Sequence, residues 1–399
     1  MRKILIISLL LIAFNVKAQS INEFYTIASE NNPELKAKYK EFEASLQKVA
    51  QVSALPDPSL TMEYLVSPSS PENMRLTLSQ MFPWFGTLKA QKSASTLLAE
   101  SKYQAFLNSK NQLFYQVATV YYPLYELKKM KNIEQENIRI LESYKNIANA
   151  KFQNGSTGLV DVLRVDIMIK EAQTNLDILD KQEPALKSWL NSILNRKYDE
   201  KIEMVQELNI VSLPLGYRKE AIATNPLLQE LELKKQASEV GIEIARKQGL
   251  PNFGVGVEYV FMGSGMNNAG KDMIMPMVTV SLPIFRKKYN AAVSEAKLMQ
   301  ESYSFQKEAS ENKLNGTYYK LVYELEKERD LLALYEGQVA TLSKSLNLLF
   351  SYYSNSNKDF EEVLRMQQEL LKYQKMQLSS ISTFYIKLAE LDYLTAKQF

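Results

Sequence analysis

The sequence predicts a mainly α-helical protein with a membrane-type β portion, built twice on one plan. Three observations carry this expectation. Long stretches rich in Ala, Leu, Lys, Glu and Gln run without turn signals, two short segments alternate apolar and polar residues, and the same landmarks recur in the same order in both halves.

The chain has 399 residues, 46% hydrophobic and 23% charged, which suits a folded protein with room for more than one domain. Cysteine and histidine are both absent. That removes disulfides, thiolate and HExxH metal sites, cysteine nucleophiles and histidine-based triads. No cofactor and no metal site are expected. Catalysis is disfavoured, with only carboxylate pairs and lysines left to carry it.

The first element is a targeting segment, MRKILIISLLLIAFNVKAQS. Arg2 and Lys3 form a basic start, Ile4 to Phe14 an apolar core, and Val16-Lys17-Ala18 a small-residue cleavage pattern. A signal peptide over residues 1–18 is expected, with no cysteine after it to take a lipid. Its removal takes three of the 48 basic residues and leaves them equal in number to the 45 acidic ones. A neutral exported protein is a poor partner for nucleic acid.

The remainder reads as two copies of helix, strand, strand, very long helix, turn, helix, over residues 19–211 and 212–399. Asn32-Pro33 answers to Asn225-Pro226, Leu55-Pro56 to Leu250-Pro251, and Glu63-Tyr64 to Glu258-Tyr259. Further on, Tyr121-Tyr122 answers to Tyr318-Tyr319 and Val162-Leu163-Arg164 to Val363-Leu364-Arg365. A helix begins after each Asn-Pro, because proline suits a first helical turn. The stretch from Thr87 to Phe152 would extend roughly 100 Å as one helix, and Pro123 is expected to kink it. Turn signals at 152–158 (FQNGSTG) and 353–359 (YSNSNKD) end the long helix of each copy. Helices of this length read as coiled-coil pairs.

The alternating segments, at about 57–83 and 252–284, look lipid-facing. Leu60, Met62 and Tyr64 alternate with Ser59, Thr61 and Glu63, and Leu76 and Leu78 with Arg75, Thr77 and Ser79. In the second copy Val255, Val257, Tyr259 and Phe261 alternate with Gly254, Gly256 and Glu258. Period two puts each set on its own face of a strand, so Glu63, Arg75 and Glu258 are expected to face a lumen. Aromatics near the strand ends (Tyr64, Trp84, Phe85, Tyr259, Phe261 and Phe285) suit a membrane interface. Four strands cannot close a barrel and open edges are not tolerated in hydrocarbon, so the barrel must be shared among subunits.

With these features in place, the mature chain resembles the TolC family of outer-membrane efflux channels. The resemblance rests on the duplicated plan, the two Leu-Pro-entered hairpins, and KFQNGSTGLVDVLRVD at 151–166, which is similar to that family's helical turn. PDPSL at 56–60 and QMFPWFGTLK at 80–89 look like its heavy-metal-efflux branch. The resemblance implies a homotrimer with a shared 12-stranded barrel in the outer membrane and a periplasmic α-barrel of coiled-coil helices. It further implies a passive exit duct for small molecules or metal ions, served by an inner-membrane pump and a periplasmic adaptor. On that model the two turns become the periplasmic tip. Asn154, Gly155, Gly158, Asp161, Lys358, Asp359 and Glu362 are then expected at the gate and adaptor-docking surface. The second tip departs from the pattern, since YYSNSNKDFEEVL lacks the Gly-Leu of the first.

The competing reading is a periplasmic coiled-coil adaptor or scaffold, which would show one helical hairpin flanked by Gly/Val-rich β modules rather than a duplicated hairpin with paired strands. A carboxylate-based enzyme would need a concave domain that this pattern does not offer. Met262, Met266, Met273, Met275 and Met277 cluster around one strand. Thioethers favour Cu(I), but methionine as a flexible filler is the preferred reading.

Overall fold

The computed structural model describes residues 20–64, 72–205, 207–208, 216–262, 264–265, 268–269, 271–355 and 360–397. The expected signal peptide, the division between 211 and 212, Met266, Lys358 and Asp359 lie outside the described residues.

Two short helices, α1 (Ile21–Asn31) and α2 (Pro33–Ser53), lead into the first hairpin. In the second half a 3-10 turn (Lys219–Thr224) and helix α5 (Pro226–Gln248) take their places. Each Asn-Pro does the same double work. Asn32 accepts from the Leu35 amide (3.0 Å) and donates to the Ile193 carbonyl (3.0 Å). Asn225 accepts from the Leu227 amide (2.9 Å) and donates to the Leu394 carbonyl (2.8 Å). One asparagine thus caps the helix it opens and ties down the end of another. Those ends match as well: Asn195 (φ 53°) and Ala396 (φ 48°) are left-handed, and the amides of Arg196 and Lys397 reach back to Asn191 and Asp392, both 2.9 Å.

Helices α3 (Thr87–Gln153, 67 residues) and α6 (Arg286–Asn355, 70 residues) form the long shafts, each about 100 Å at 1.5 Å per residue. Helices α4 (Leu159–Ile193) and α7 (Phe360–Leu394) return along them. Helix α3 runs on through Pro123, as α4 does through Pro184. Tyr121, Tyr122, Leu124 and Tyr125 around Pro123 are all buried, so packing holds the helix where one backbone hydrogen bond is missing.

Three apolar clusters hold the helices together. One gathers Phe24, Tyr25, Phe114, Val117, Tyr121 and Leu190 where α1, α3 and the end of α4 meet. A second joins Leu141, Tyr144, Val165, Tyr353 and Phe360 between the two helical hairpins. A third sets Ile222 against Tyr318, Leu321 and Leu391. The Tyr-Tyr pairs repeat in geometry, edge to face at 5.3 Å (Tyr121–Tyr122) and 5.5 Å (Tyr318–Tyr319). Polar groups set the register of α7 on α3: Gln367 donates to Asn137 (3.0 Å) inside the seam, and Lys375 pairs with the buried Glu134. Slipping either helix would bury these groups without partners.

The strands are β1 (Ser59–Tyr64), β2 (Glu72–Phe82), β3 (Phe253–Met262) and β6 (Met273–Val280). Between β3 and β6 lies a two-rung ribbon, β4 (Ser264–Gly265) with β5 (Asn268–Ala269). The alternating segments therefore yield strands of six, eleven, ten and eight residues, trimmed from the expected 57–83 and 252–284. All four join one antiparallel sheet in the order β1-β2-β3-β6, so the two hairpins fuse through β2 and β3. Among the described residues no helix is long and apolar enough to cross a membrane.

Candidate functional site

The sheet has two chemically distinct faces, and its register shows which residues share each. Leu60 lies opposite Leu78, Leu78 opposite Val257; Met62 lies opposite Leu76, and Leu76 opposite Tyr259. On this face Leu60 is 69% exposed and Val278 77% exposed in the single chain. An apolar sheet face open to water would be a severe liability for a soluble protein.

On the other face Glu63 lies opposite Arg75. The Arg75 guanidinium also sits 3.9 Å from the Glu258 carboxylate, to which the Thr77 hydroxyl donates at 3.5 Å. Thus Glu63, Arg75 and Glu258 do share the polar face. Gly254 and Gly256 run beside them as a lane without side chains. A Cβ on Gly254 would stand 2.4 Å from the Met81 sulfur, and one on Gly256 3.2 Å from the Met277 methyl. These methionines fill the space the glycines leave. Met81 was not singled out in the sequence because its lane partners lie on another strand, far along the chain.

Aromatic rings mark both ends of the apolar face. Tyr64, Tyr259 and Phe261 lie at the hairpin end, with Tyr259 and Phe261 4.6 Å apart. Phe82, Trp84, Phe85, Phe253 and Phe285 lie toward the helices, with Trp84 5.7 Å from Phe253 and 6.0 Å from Phe85. From Phe253 to Phe261 the strand is about 27 Å long, which at the roughly 35–45° tilt of a barrel strand covers about 19–22 Å of the about 25 Å apolar band of an outer-membrane barrel.

The joint between sheet and shafts is tied by Asn252. Its side chain accepts from the Trp84 amide (3.2 Å), and its backbone exchanges hydrogen bonds with Ser281 (2.8 and 2.9 Å). Gly86 opens α3 with φ 78°, and Lys247 crosses it to donate to the Phe85 carbonyl (3.1 Å). Sequence reading did not find Asn252 or Lys247; both act on residues more than 160 positions away or across a hairpin.

At the far end of the shafts, α3 stops at a left-handed glycine. Gly155 has φ 67°, its amide reaches Phe152 (2.9 Å), and the Ser156 amide reaches Lys151 (2.9 Å). Asn154 caps the helix just before it. Gly158 takes φ −83°, with only the Val160 nitrogen at 3.9 Å from a Cβ placed there. The tight reversal therefore depends on Gly155, and Gly158 is open to larger residues.

Across the gap, Lys151 donates to the Tyr353 carbonyl (2.5 Å) and lies 4.4 Å from the centre of its ring. Tyr353 stacks on Phe360 at 4.4 Å. Arg164 reaches Glu361 on α7 (2.9 Å) and lies 3.9 Å from Asp161. Glu362 pairs within its own helix, with Arg365 (3.7 Å). The repeat-related Arg164 and Arg365 thus do different work, one between the hairpins and one within α7. Among the described residues no group of histidines, cysteines or carboxylates is arranged to hold a metal.

A four-stranded sheet with an apolar outer face and edges that are unpaired among the described residues, carried on helical hairpins of about 100 Å, is the architecture of a TolC-type channel subunit. Residues 24–183 match the model of the outer membrane efflux protein family. That match covers 160 of the chain's 399 residues; with it, the two-faced sheet and the long helices place the protein in the outer membrane with its helical body in the periplasm. It is similar to the pyoverdine export outer membrane protein OpmQ of Pseudomonas putida, 25% identical over 226 residues, which cover 55% of this chain and 47% of that one. The chain thus spans about half the length of the curated relative it matches. Its fold is similar to that of CusC (TM-score 0.81, 16% identity, 94% of this chain and 91% of that one). It is likewise similar to the CmeC outer membrane channel of Campylobacter jejuni (TM-score 0.79, 14% identity, 94% and 85%).

Proposed function

We propose that three copies of the chain form a passive exit duct of a tripartite efflux system. The duct exports small molecules or metal ions delivered by an inner-membrane pump and a periplasmic adaptor. One observation carries this reading: a sheet apolar on one face and polar on the other, with both edge strands unpaired among the described residues. Such edges demand further strands in a membrane, and three sheets of four make a barrel of 12. Glu63, Arg75 and Glu258 then line the lumen. The two halves of the chain are two copies of one unit, supported by the twin asparagine staples and Tyr-Tyr pairs. The export of pyoverdine by a relative fits a small-molecule cargo. The placing of Met81 and Met277 over the glycine lane favours methionine as filler over a metal-selecting site.

The turns at 152–158 and 353–359 form the periplasmic gate and the adaptor-docking surface. Asn154, Gly155, Gly158 and Asp161 sit at the first, with Lys358, Asp359 and Glu362 at the second. The test uses the extracted protein in planar bilayers, with Asp161→Ala, Asp359→Ala and the sterically tolerated Gly158→Trp compared with the parent. Larger conductance in the aspartate variants is expected from a loosened gate, and loss of adaptor copurification from Gly158→Trp. Parental behaviour in all three would place the functional end elsewhere, and the absence of any conductance in the parent would remove the duct itself.

A further inference from the structure

At the foot of the sheet, where β2 turns into α3, the apolar face contains a cavity of about 430 Å³. Leu55, Phe82, Trp84, Phe85, Leu88 and Phe253 form most of its wall, and Lys89 stands at its rim. Phe82 and Phe253 are direct cross-strand partners, so the cavity continues the sheet's lipid-type face rather than its polar one. Phe85, at 78%, is among the most exposed aromatic side chains of the protein.

The charges around the cavity are asymmetric. Lys247 is spent on the Phe85 carbonyl and Glu243, and Arg286 on the Gly249 carbonyl. Lys89 is exposed and makes no ion pair or hydrogen bond among the described residues, and no acidic side chain lines the cavity. An apolar cleft with a single unpaired ammonium at its mouth complements a molecule with a hydrocarbon chain and one negative headgroup. The aromatic collar puts that mouth at the level of lipid headgroups.

We propose that this cleft is a binding site for an anionic glycerophospholipid of the inner, periplasm-facing leaflet. An acyl chain lies along the Phe82–Trp84–Phe253 wall and the phosphate sits at Lys89. The inference rests on the reading that the sheet lies in the outer membrane. Its consequence is a subunit whose barrel-to-shaft joint is seated by lipid as well as by Asn252.

Trp84 is a built-in reporter, because the only other tryptophan, Trp189, lies out on α4. The full chain carrying Trp189→Phe is reconstituted in phosphatidylcholine vesicles with a small fraction of lipid brominated on its chains. That lipid is either phosphatidylglycerol or phosphatidylcholine. Brominated phosphatidylglycerol should quench Trp84 with about fivefold higher apparent affinity, the preference one lysine confers at an anionic surface. Lys89→Ala should bring the two lipids level while leaving helicity unchanged. Equal quenching with Lys89 present, or a preference that survives Lys89→Ala, would overturn the lipid site and leave the membrane reading standing. Quenching by neither lipid would put Trp84 outside the bilayer, overturning the membrane placement and the lipid site together.

Discussion

At the scale of single residues, Tyr353 ties chemistry to the tip. It is only 2% exposed, and its hydroxyl has no hydrogen-bond partner among the described residues. Burial, and then the charge of Asp161, pushes its pKa up to about 12. A raised acid favours the protonated form in the folded state. Its contribution is therefore fully present below the ordinary tyrosine pKa of about 10 and is lost as pH climbs toward 12. Tyr353→Phe keeps the stack on Phe360 and the ring under Lys151 while deleting an unsatisfied buried group. We expect it to stabilise the helical body by on the order of 1 kcal/mol at pH 8. It should also flatten the loss of stability between pH 10 and 12, followed by chemical unfolding at fixed pH. An identical alkaline slope in parent and variant would show that this hydroxyl does not titrate with unfolding. Legibility at this scale was uneven, and the two tip glycines show why. Gly155 needs its left-handed backbone, which a turn glycine in sequence suggests; Gly158 takes an ordinary conformation, so its residue type implied a constraint that the backbone does not impose.

Among elements, the asparagine staples make the sharpest energetic claim. Asn32→Ala and Asn225→Ala each remove a helix cap and a bond to the end of a returning helix. A cap alone is worth about 1 kcal/mol. Asn225 is 2% exposed, so its loss also strands the buried Leu394 carbonyl. Asn225→Ala should therefore cost about 2–3 kcal/mol and Asn32→Ala about 1, read as lowered unfolding midpoints by circular dichroism. Equal losses would mean that burial does not distinguish the two sites. The Asn-Pro starts of α2 and α5, the shafts and the four strands were all readable, because local periodicity and proline placement encode them. The Lys151–Tyr353 contact was not, since it joins residues 202 apart and depends on how two hairpins lie together. The fusion of both hairpins through β2 and β3 likewise comes from topology, with only the alternation of each strand written in the chain.

On the scale of the whole molecule, the edges of β1 and β6, unpaired among the described residues, and the two-faced sheet lead us to expect that position 62 meets lipid and position 63 the lumen. Met62 is 69% exposed on the apolar face, and Glu63 stands opposite Arg75 on the polar one. The chain has no cysteine, so Met62→Cys and Glu63→Cys each introduce a single thiol per copy without further engineering. In bilayers, a bulky water-soluble thiol reagent should reduce conductance through Glu63→Cys and leave Met62→Cys unaffected. A lipid-soluble probe should label Met62→Cys in preference. If three sheets share one barrel, full block should develop in up to three discrete steps as successive copies react, since each subunit brings one thiol to the same ring. One step would indicate a pore within each chain, which four strands cannot close. Equal block from both positions would mean that the alternation does not separate lipid from lumen. The shared barrel would then fail at its premise, even with every strand in the register seen here.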